Sequence, residues 1–315
     1  MKAIKFKQFG TPKVLELIEV PLPVLTNQNK GDMLIKVVSV GLNPIDAKIR
    51  DGSSFVSKSL TLPSGMGFDL CGEIVELGAG VSSFQIGDMI LGKVERYDHP
   101  SAYSEYCIVN ENHIISKPKS LNVNQAGALP TAGLTAWQVV HKHGKIKSGE
   151  RVLIHAGAGG VGHLAIQIAK LAGAYVITTA SQKHHAFLMD LGVDEIIDYR
   201  NTPFIDVVTD IDLVIDLVGG DVGLQSLKAL KPTGRIVTVP TITRDTILAK
   251  ASKENIEATG MLAENNKADL EALAELIAEK KITLKVSASF PLAEARDAHD
   301  LLETKRTQGK IVLTT

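Results

Sequence analysis

The stretch RVLIHAGAGGVGHLAIQIAKL, residues 151 to 171, constrains this chain more than any other part of it. An apolar run with strand character ends in a crowd of glycines, and an apolar stretch with helix character opens directly behind them. Gly157, Gly159 and Gly162 have the spacing G-x-G-x-x-G, with Gly160 and Val161 between the last two. In that setting the first glycine permits a tight turn and the second lets the backbone approach a pyrophosphate. The third lets the helix pack closely on the strand. The helix N-terminus then offers unpaired N–H groups and a partial positive charge to phosphate. The spacing by itself is weak, because glycine turns also serve simple chain reversal. Its weight comes from its surroundings.

Those surroundings alternate. After the hinge come YVITTA (175 to 180), the helix-like KHHAFLMDLG, EIIDY (195 to 199), IDLVIDLV (211 to 218) and RIVTVP (235 to 240). The apolar runs show little in–out alternation, as strands covered on both faces do. An α/β, doubly wound parallel sheet is predicted over 123–262. Ahead of it lie short β-like runs broken by turn residues: DMLIKVVSVG (32 to 41), GEIVELG (72 to 78), GDMILGKV (87 to 94) and SEYCIVN (104 to 110). They predict a compact, mainly antiparallel β unit over 1–122. The tail, 263–315, carries an amphipathic helix, ADLEALAELIAEK, and a last apolar run, GKIVLTT, placed to pair back into that unit. PKSLNVNQ (118 to 125) is the expected crossover. Two domains suit 315 residues.

Composition removes several functional classes. A formal charge of -1 with scattered Lys and Arg gives no footprint for nucleic acid or an anionic membrane. No stretch approaches a membrane span, and MKAIKFKQFG lacks the apolar core of a signal peptide, so a cytoplasmic protein is expected. Cys71 and Cys107 are read as buried structural thiols of a reducing compartment.

The choice of nucleotide rests on the end of the next strand. An NAD site usually carries an acid about 20 residues beyond the glycines for the ribose 2′-hydroxyl. No acid occurs from Gly157 through Met189; TTASQKHH supplies Ser181, Lys183, His184 and His185 instead. An acid would repel a 2′-phosphate, whereas hydroxyl and ammonium groups attract it, so the cofactor is read as NADPH. The alternative is that Lys183 and the two histidines form an ordinary solvated helix start.

The whole chain resembles the medium-chain dehydrogenase/reductase superfamily, in its zinc-independent, zeta-crystallin-like quinone oxidoreductase branch. The resemblance is carried by MKAIKFKQFGTPKVLELIEVPLP, GLNPIDAKIRDG (41 to 52), GFDLCGEIVELGAGVSSFQIGD (67 to 88), ALPTAGLTAW (128 to 137), GAGGVG (157 to 162), DLVGG (216 to 220) and RTQGKIVL (306 to 313). It implies a GroES-like, mainly β catalytic domain completed by the tail, a Rossmann domain between, and an active site in the cleft separating them. It implies Asn43 beside nicotinamide and substrate, and Thr131 and Thr135 near the nicotinamide end. Gly219 of DLVGG is implied as a cofactor contact, and Tyr199 as a cap on the 2′-phosphate region. It also implies a homodimer joined through the last Rossmann strand, NIEATGML (255 to 262).

By the same resemblance, zinc alcohol dehydrogenases place Cys where this chain has Asn43, and a His-Glu pair where it has Phe68 and Asp69. Amide and phenyl groups do not replace thiolate and imidazole, so no metal is expected. The loop KVERYDHPSAY has no cysteines for a structural zinc. His99, His113, His141, His143, His155, His163 and His299 are read as surface or core-satisfied residues. Without a Lewis acid, hydride goes most easily to an acceptor that already delocalises charge, a quinone or an α,β-unsaturated carbonyl (enone). Lys48 is either a group that polarises the acceptor oxygen or a solvated helix lysine. Asp46 either organises the NPID loop or is a helix-capping acid. Two rival functions remain: a non-catalytic, NADPH-bound RNA-binding or crystallin-like protein, and an enoyl-thioester reductase.

Overall fold

The computed structural model describes residues 1–26, 30–94 and 101–315. The chain forms two compact units, one of residues 1–132 and 265–315, the other of residues 133–264. In the first, β1 (Lys2–Lys5) and β2 (Glu16–Glu19) make an antiparallel pair. β3 (Asp32–Gly41) is the long central strand of a second sheet and ends where α1 (Pro44–Asp51) begins. β4 (Asp69–Leu77), β5 (Met89–Lys93), β6 (Tyr106–Asn110) and β7 (Ile114–Ser116) follow, with antiparallel pairing throughout. The core of this unit gathers Phe6, Met33, Ile35, Leu70, Ile74, Ile90 and Ile114 behind the strands. Cys71 and Cys107 are buried and free, with burial pushing both thiols up to about 12. They are inert at neutral pH.

The chain passes to the second unit inside α2 (Val123–Gln138), between Ala132 and Gly133. The turn residues of 118–125, which look like a linker, lie before that helix or in its first turn. The chain changes unit within this helix, with Pro130 inside it and unable to donate a backbone N–H. In the second unit, β8 (Arg151–Ile154) leads into the hinge and α3 (Gly162–Leu171). β9 (Tyr175–Ala180), α4 (His185–Asp190), β10 (Glu195–Asp198), β11 (Ile211–Asp216), α5 (Gly220–Ser226), β12 (Leu230–Thr238), α6 (Arg244–Lys253) and β13 (Glu257–Gly260) complete it. The strand order is β10-β9-β8-β11-β12-β13, every pair parallel. That is the doubly wound Rossmann order, with its reversal point between β8 and β11. Val152, Leu153, Ile154, Val176, Ile177, Leu213, Val214 and Ile215 are all completely buried. This is why these strands read as continuous apolar runs.

The remaining elements return to the first unit. α7 (Lys267–Ala278), β14 (Val286–Pro291), α8 (Ala295–Glu303) and β15 (Lys310–Thr314) follow in order, and β15 pairs antiparallel with β3, Val312 opposite Gly41. The tail therefore supplies a strand to the N-terminal sheet.

Two of the strands that end earlier than their apolar runs show why they do. β8 stops at Ile154, because Ala156 takes a positive φ of 55° and starts the hinge. β11 stops at Asp216, whose Oδ1 accepts the backbone N–H groups of Val218 and Gly219 at 3.0 and 2.7 Å. A carboxylate that caps the following turn ends the strand.

Candidate active site

The parallel sheet determines where the residues expected at the nucleotide meet. Ile154 of β8 is level with Thr178 of β9, and Ala180 of β9 with Asp198 of β10. The hinge, Ser181 with Lys183, and Tyr199 therefore leave the same carboxyl edge of three adjacent strands. Gly219 leaves that edge from β11, on the other side of β8. Ligands of doubly wound sheets bind at this edge, beside the reversal point.

The three fingerprint glycines are glycines for different reasons. A Cβ on Gly157 would lie 2.1 Å from Thr178 Oγ1, and one on Gly162 would lie 2.4 Å from the Ala156 carbonyl. Both are fixed by packing within the chain. A Cβ on Gly159 would meet only the Ala156 carbonyl, at 3.2 Å, so the chain itself scarcely requires glycine there. A ligand that must approach the backbone does require it. His163 adds an element that its lone imidazole did not signal. Its buried ring lies 2.8 Å from the Gly159 carbonyl through Nδ1. A carbonyl only accepts, so Nδ1 carries the proton, and the imidazole anchors the hinge.

At the next strand end Ser181 is buried and Lys183 exposed. Tyr199 is 55% exposed directly after β10. The nearest acid in register, Asp198, turns to its own loop, accepting from Arg200 N at 3.1 Å and Asn201 Nδ2 at 2.9 Å. Gly219 has φ 77°, and a Cβ there would strike Thr243 Oγ1 at 2.2 Å. Thr135 is buried in α2, one turn beyond Thr131.

In the first unit, β3 delivers Asn43 to the start of α1, where a buried polar cluster surrounds it. Asn43 Nδ2 donates to Asp69 Oδ2 at 2.8 Å, and its Oδ1 accepts from Lys310 Nζ at 2.5 Å. Lys310 also donates to the Leu42 carbonyl at 2.6 Å. Thr131 donates to Asp69 Oδ1 from its backbone N at 3.0 Å and from Oγ1 at 2.5 Å. The structure thus brings Asn43 and Thr131 together through Asp69. Lys48 is elsewhere on α1: half-buried, with Lys305 and Asp51 as its charged neighbours, and burial lowers it from its ordinary value.

Asp46 takes the capping role, its Oδ2 accepting the Asn43 backbone N–H at 2.7 Å. From it a second chain of bonds runs outward, and one residue sets its direction. Arg50 can only donate, so His299 Nδ1, 3.1 Å from Arg50 Nη1, is an acceptor. His299 Nε2 then carries the proton and donates to Tyr103 Oη at 3.2 Å. Tyr103 donates in turn to Asp46 Oδ2 at 3.4 Å. Arg50 closes the chain with an ion pair to Glu303. Burial holds His299 neutral, down to about 3, and raises Asp46 to about 7, with Asp69 adding to the rise.

His155 is satisfied in the second unit between Thr179 Oγ1 at 3.1 Å and Ser226 Oγ at 2.8 Å. His141 packs at a tilt against Trp137, and His99 lies outside the described residues. Sequence reading gave no role to Tyr103, Lys310 or Arg50, noted Asp69 only where zinc relatives carry a ligand, and took His163 and His299 as satisfied residues without seeing what they hold.

Two families match the chain: "Alcohol dehydrogenase GroES-like domain" over residues 29–119 and "Zinc-binding dehydrogenase" over residues 191–313. A 2-methylene-furan-3-one reductase of Solanum lycopersicum is 32% identical, the alignment covering 99% of this chain and 79% of the relative. The solved quinone oxidoreductase of Coxiella burnetii is 49% identical, with a TM-score of 0.96 over 100% of this chain and 99% of its own. The chain belongs to the medium-chain dehydrogenase/reductase superfamily, in its quinone oxidoreductase branch. Within that family, the Escherichia coli quinone oxidoreductase solved with NADPH is 26% identical, with a TM-score of 0.87 and full coverage of both chains. At Asn43, Phe68 and Asp69, the positions where the zinc alcohol dehydrogenases carry ligands, the donors do not suit zinc. The Asn43 and Asp69 oxygens are taken by Lys310, Asn43 and Thr131, and Phe68 packs in the core. Among the described residues no three His, Cys, Asp or Glu side chains gather to hold a metal.

Proposed function

We propose that this protein is an NADPH-dependent oxidoreductase that transfers hydride to a quinone or an α,β-unsaturated carbonyl without a metal. The observation that carries this reading is the carboxyl edge of the parallel sheet. There the hinge, open at Gly159 alone among the fingerprint glycines, shares an edge with Ser181, Lys183 and Tyr199. Backbone N–H groups from Gly160 to Gly162 and the α3 N-terminus face the pyrophosphate, and Ser181, Lys183 and Tyr199 receive the 2′-phosphate. When bound, the cofactor supplies the hydride from its nicotinamide ring. Gly219, Thr131 and Thr135 line the path to that ring, with Asn43 beside ring and acceptor. Lys48 is the candidate to polarise the acceptor oxygen.

In this reading residues 1–122 with 263–315 form the catalytic domain and 123–262 the cofactor domain. The conjugated acceptor spreads the incoming charge, so water or one modest donor suffices to protonate it. The protein works as a cytoplasmic homodimer, with small-molecule partners and no nucleic-acid role. Among the described residues no helix is long and apolar enough to cross a membrane.

The test is oxidation of NADPH and NADH by exhaustively chelated protein against quinones, enones, an enoyl thioester and simple alcohols. Turnover with NADPH and a quinone or enone, undiminished by chelation, is expected. Activity confined to alcohols, a need for stoichiometric zinc, or a preference for NADH would overturn the reading.

A further inference from the structure

Lys310 is a lysine without a surface. It is 4% exposed, and Nζ donates to the Leu42 carbonyl and to Asn43 Oδ1. Its position follows from the tail: β15 pairs with the end of β3, and Leu42 N donates to the Ile311 carbonyl at 3.0 Å. Lys310 therefore lies against the junction of β3 and α1. Burying an ammonium is costly unless charge and hydrogen bonds compensate. The compensation here comes from Asp69 and Asp46, whose charges oppose the lowering that burial imposes. A hydrophobic residue in β15 would serve the sheet without that cost. The cluster must gain something else from the ammonium.

What it gains is the orientation of an amide. A side-chain amide has two ends of similar size, and packing alone distinguishes them poorly. At Asn43 the ambiguity is removed from both sides. Lys310 can only donate and selects Oδ1, while the Asp69 carboxylate accepts and selects Nδ2. Thr131 fixes the other Asp69 oxygen.

We propose that Lys310 is the positioning residue for Asn43, an internal cation doing by hydrogen bonds and charge what a metal would do by coordination. It sits on Asn43, one of the positions at which the zinc branch carries a ligand. The role of the orientation in hydride transfer rests on the function proposed above; the orientation itself does not.

The test uses Lys310→Met, which keeps length and apolar bulk, with Asp69→Asn alone and added to it. Lys310→Met should lower the melting temperature by leaving Asp69 uncompensated, and Asp69→Asn in that background should restore much of it. The Asn43 side-chain amide resonances, assigned by their loss in Asn43→Ala, should be protected from solvent exchange in the wild type. In Lys310→Met and in the double variant they should move and exchange fast. Acceptor-saturated kcat should fall about tenfold to a hundredfold in both, the loss expected of misoriented active-site groups, with little change in KM. An Asn43 amide unmoved by Lys310→Met would overturn the proposal whatever the activity. Recovery of kcat along with melting temperature in the double variant would reduce Lys310 to charge balance and overturn it too. An Asn43→Ala variant with normal kcat would instead sink the catalytic reading of Asn43, leaving the amide resonances to judge Lys310.

Discussion

At the residue scale, the glycine fingerprint separates into parts with different physics. Gly157 and Gly162 answer to Thr178 and the Ala156 carbonyl, neighbours in the same fold, whereas Gly159 answers to almost nothing inside the chain. Substitution should therefore divide the motif. Gly159→Val places a side chain where a pyrophosphate approaches the backbone, so NADPH affinity should fall at least about a hundredfold, roughly 2.7 kcal/mol or more, while the melting temperature stays near wild type. Gly162→Val drives its Cβ into the Ala156 carbonyl and should cost stability of the size that overpacking costs, about 1–3 kcal/mol or more. Calorimetric titration with NADPH, paired with thermal melts, distinguishes the two. Equal loss of stability in both variants would mean that the hinge is spaced for packing and not for a ligand. His163, holding the Gly159 carbonyl, belongs with the first group: it shapes the hinge rather than filling it.

At the element scale, α1 shows what a sequence declares and what it withholds. The runs DMLIKVVSVG, YVITTA and GHLAIQIAKL coincide with β3, β9 and α3 because their periodicity is local. The hinge and the acid-free strand end were legible for the same reason. The cluster that holds the start of α1 was not. Asn43 meets Asp69 26 residues away and Lys310 267 residues away, and Tyr103 meets His299 across 196. No local pattern encodes such contacts; the pairing of β4 and β15 with β3 brings Asp69 and Lys310 to Asn43, and α8 brings His299 to Tyr103. A pH dependence of stability follows from them. Asp46, at about 7 in the folded protein against an ordinary 3.8, binds its proton more tightly folded than unfolded. Its contribution is present below pH 4 and is lost as pH rises to 7. His155 and His299, lowered to about 4 and about 3, have the opposite sign: their contribution is present above pH 6.5 and is lost as pH falls. Asp46→Asn keeps an acceptor for the Asn43 N–H and removes the ionisable group. The variant should match wild type near pH 4 and gain on it steadily to pH 7, by at most about 4 kcal/mol, with a constant margin above. Denaturant melts of both proteins from pH 4 to 9 check this. A margin that does not depend on pH would show Asp46 ionised without penalty.

At the scale of the whole molecule, the exposed edge of the Rossmann sheet is the feature that calls for a partner. The order β10-β9-β8-β11-β12-β13 leaves β13 with a neighbour on one side only among the described residues. An unpaired strand edge is a template for another chain unless charge, proline or a bulge blunts it. EATG of β13 offers a single charge and no proline, and Leu262, just beyond it, is 56% exposed. A net charge of -1 provides little repulsion between copies. Two copies related by a twofold axis can pair these edges antiparallel, each presenting the same surface to the other. The homodimer proposed through residues 255–262 is the closed solution at this edge, since a twofold contact uses the β13 edge of both copies and leaves neither of those edges to propagate. Leu262→Asp tests it with little risk to the fold, because the side chain is already in solvent in the single chain. Sedimentation velocity should give a dimer for wild type and a shift of about tenfold or more toward monomer for the variant, the scale of burying one charge against an apolar contact. The variant's circular dichroism should be unchanged. A wild-type monomer, or a variant dimer of undiminished affinity, would place the subunit contact elsewhere or abolish it.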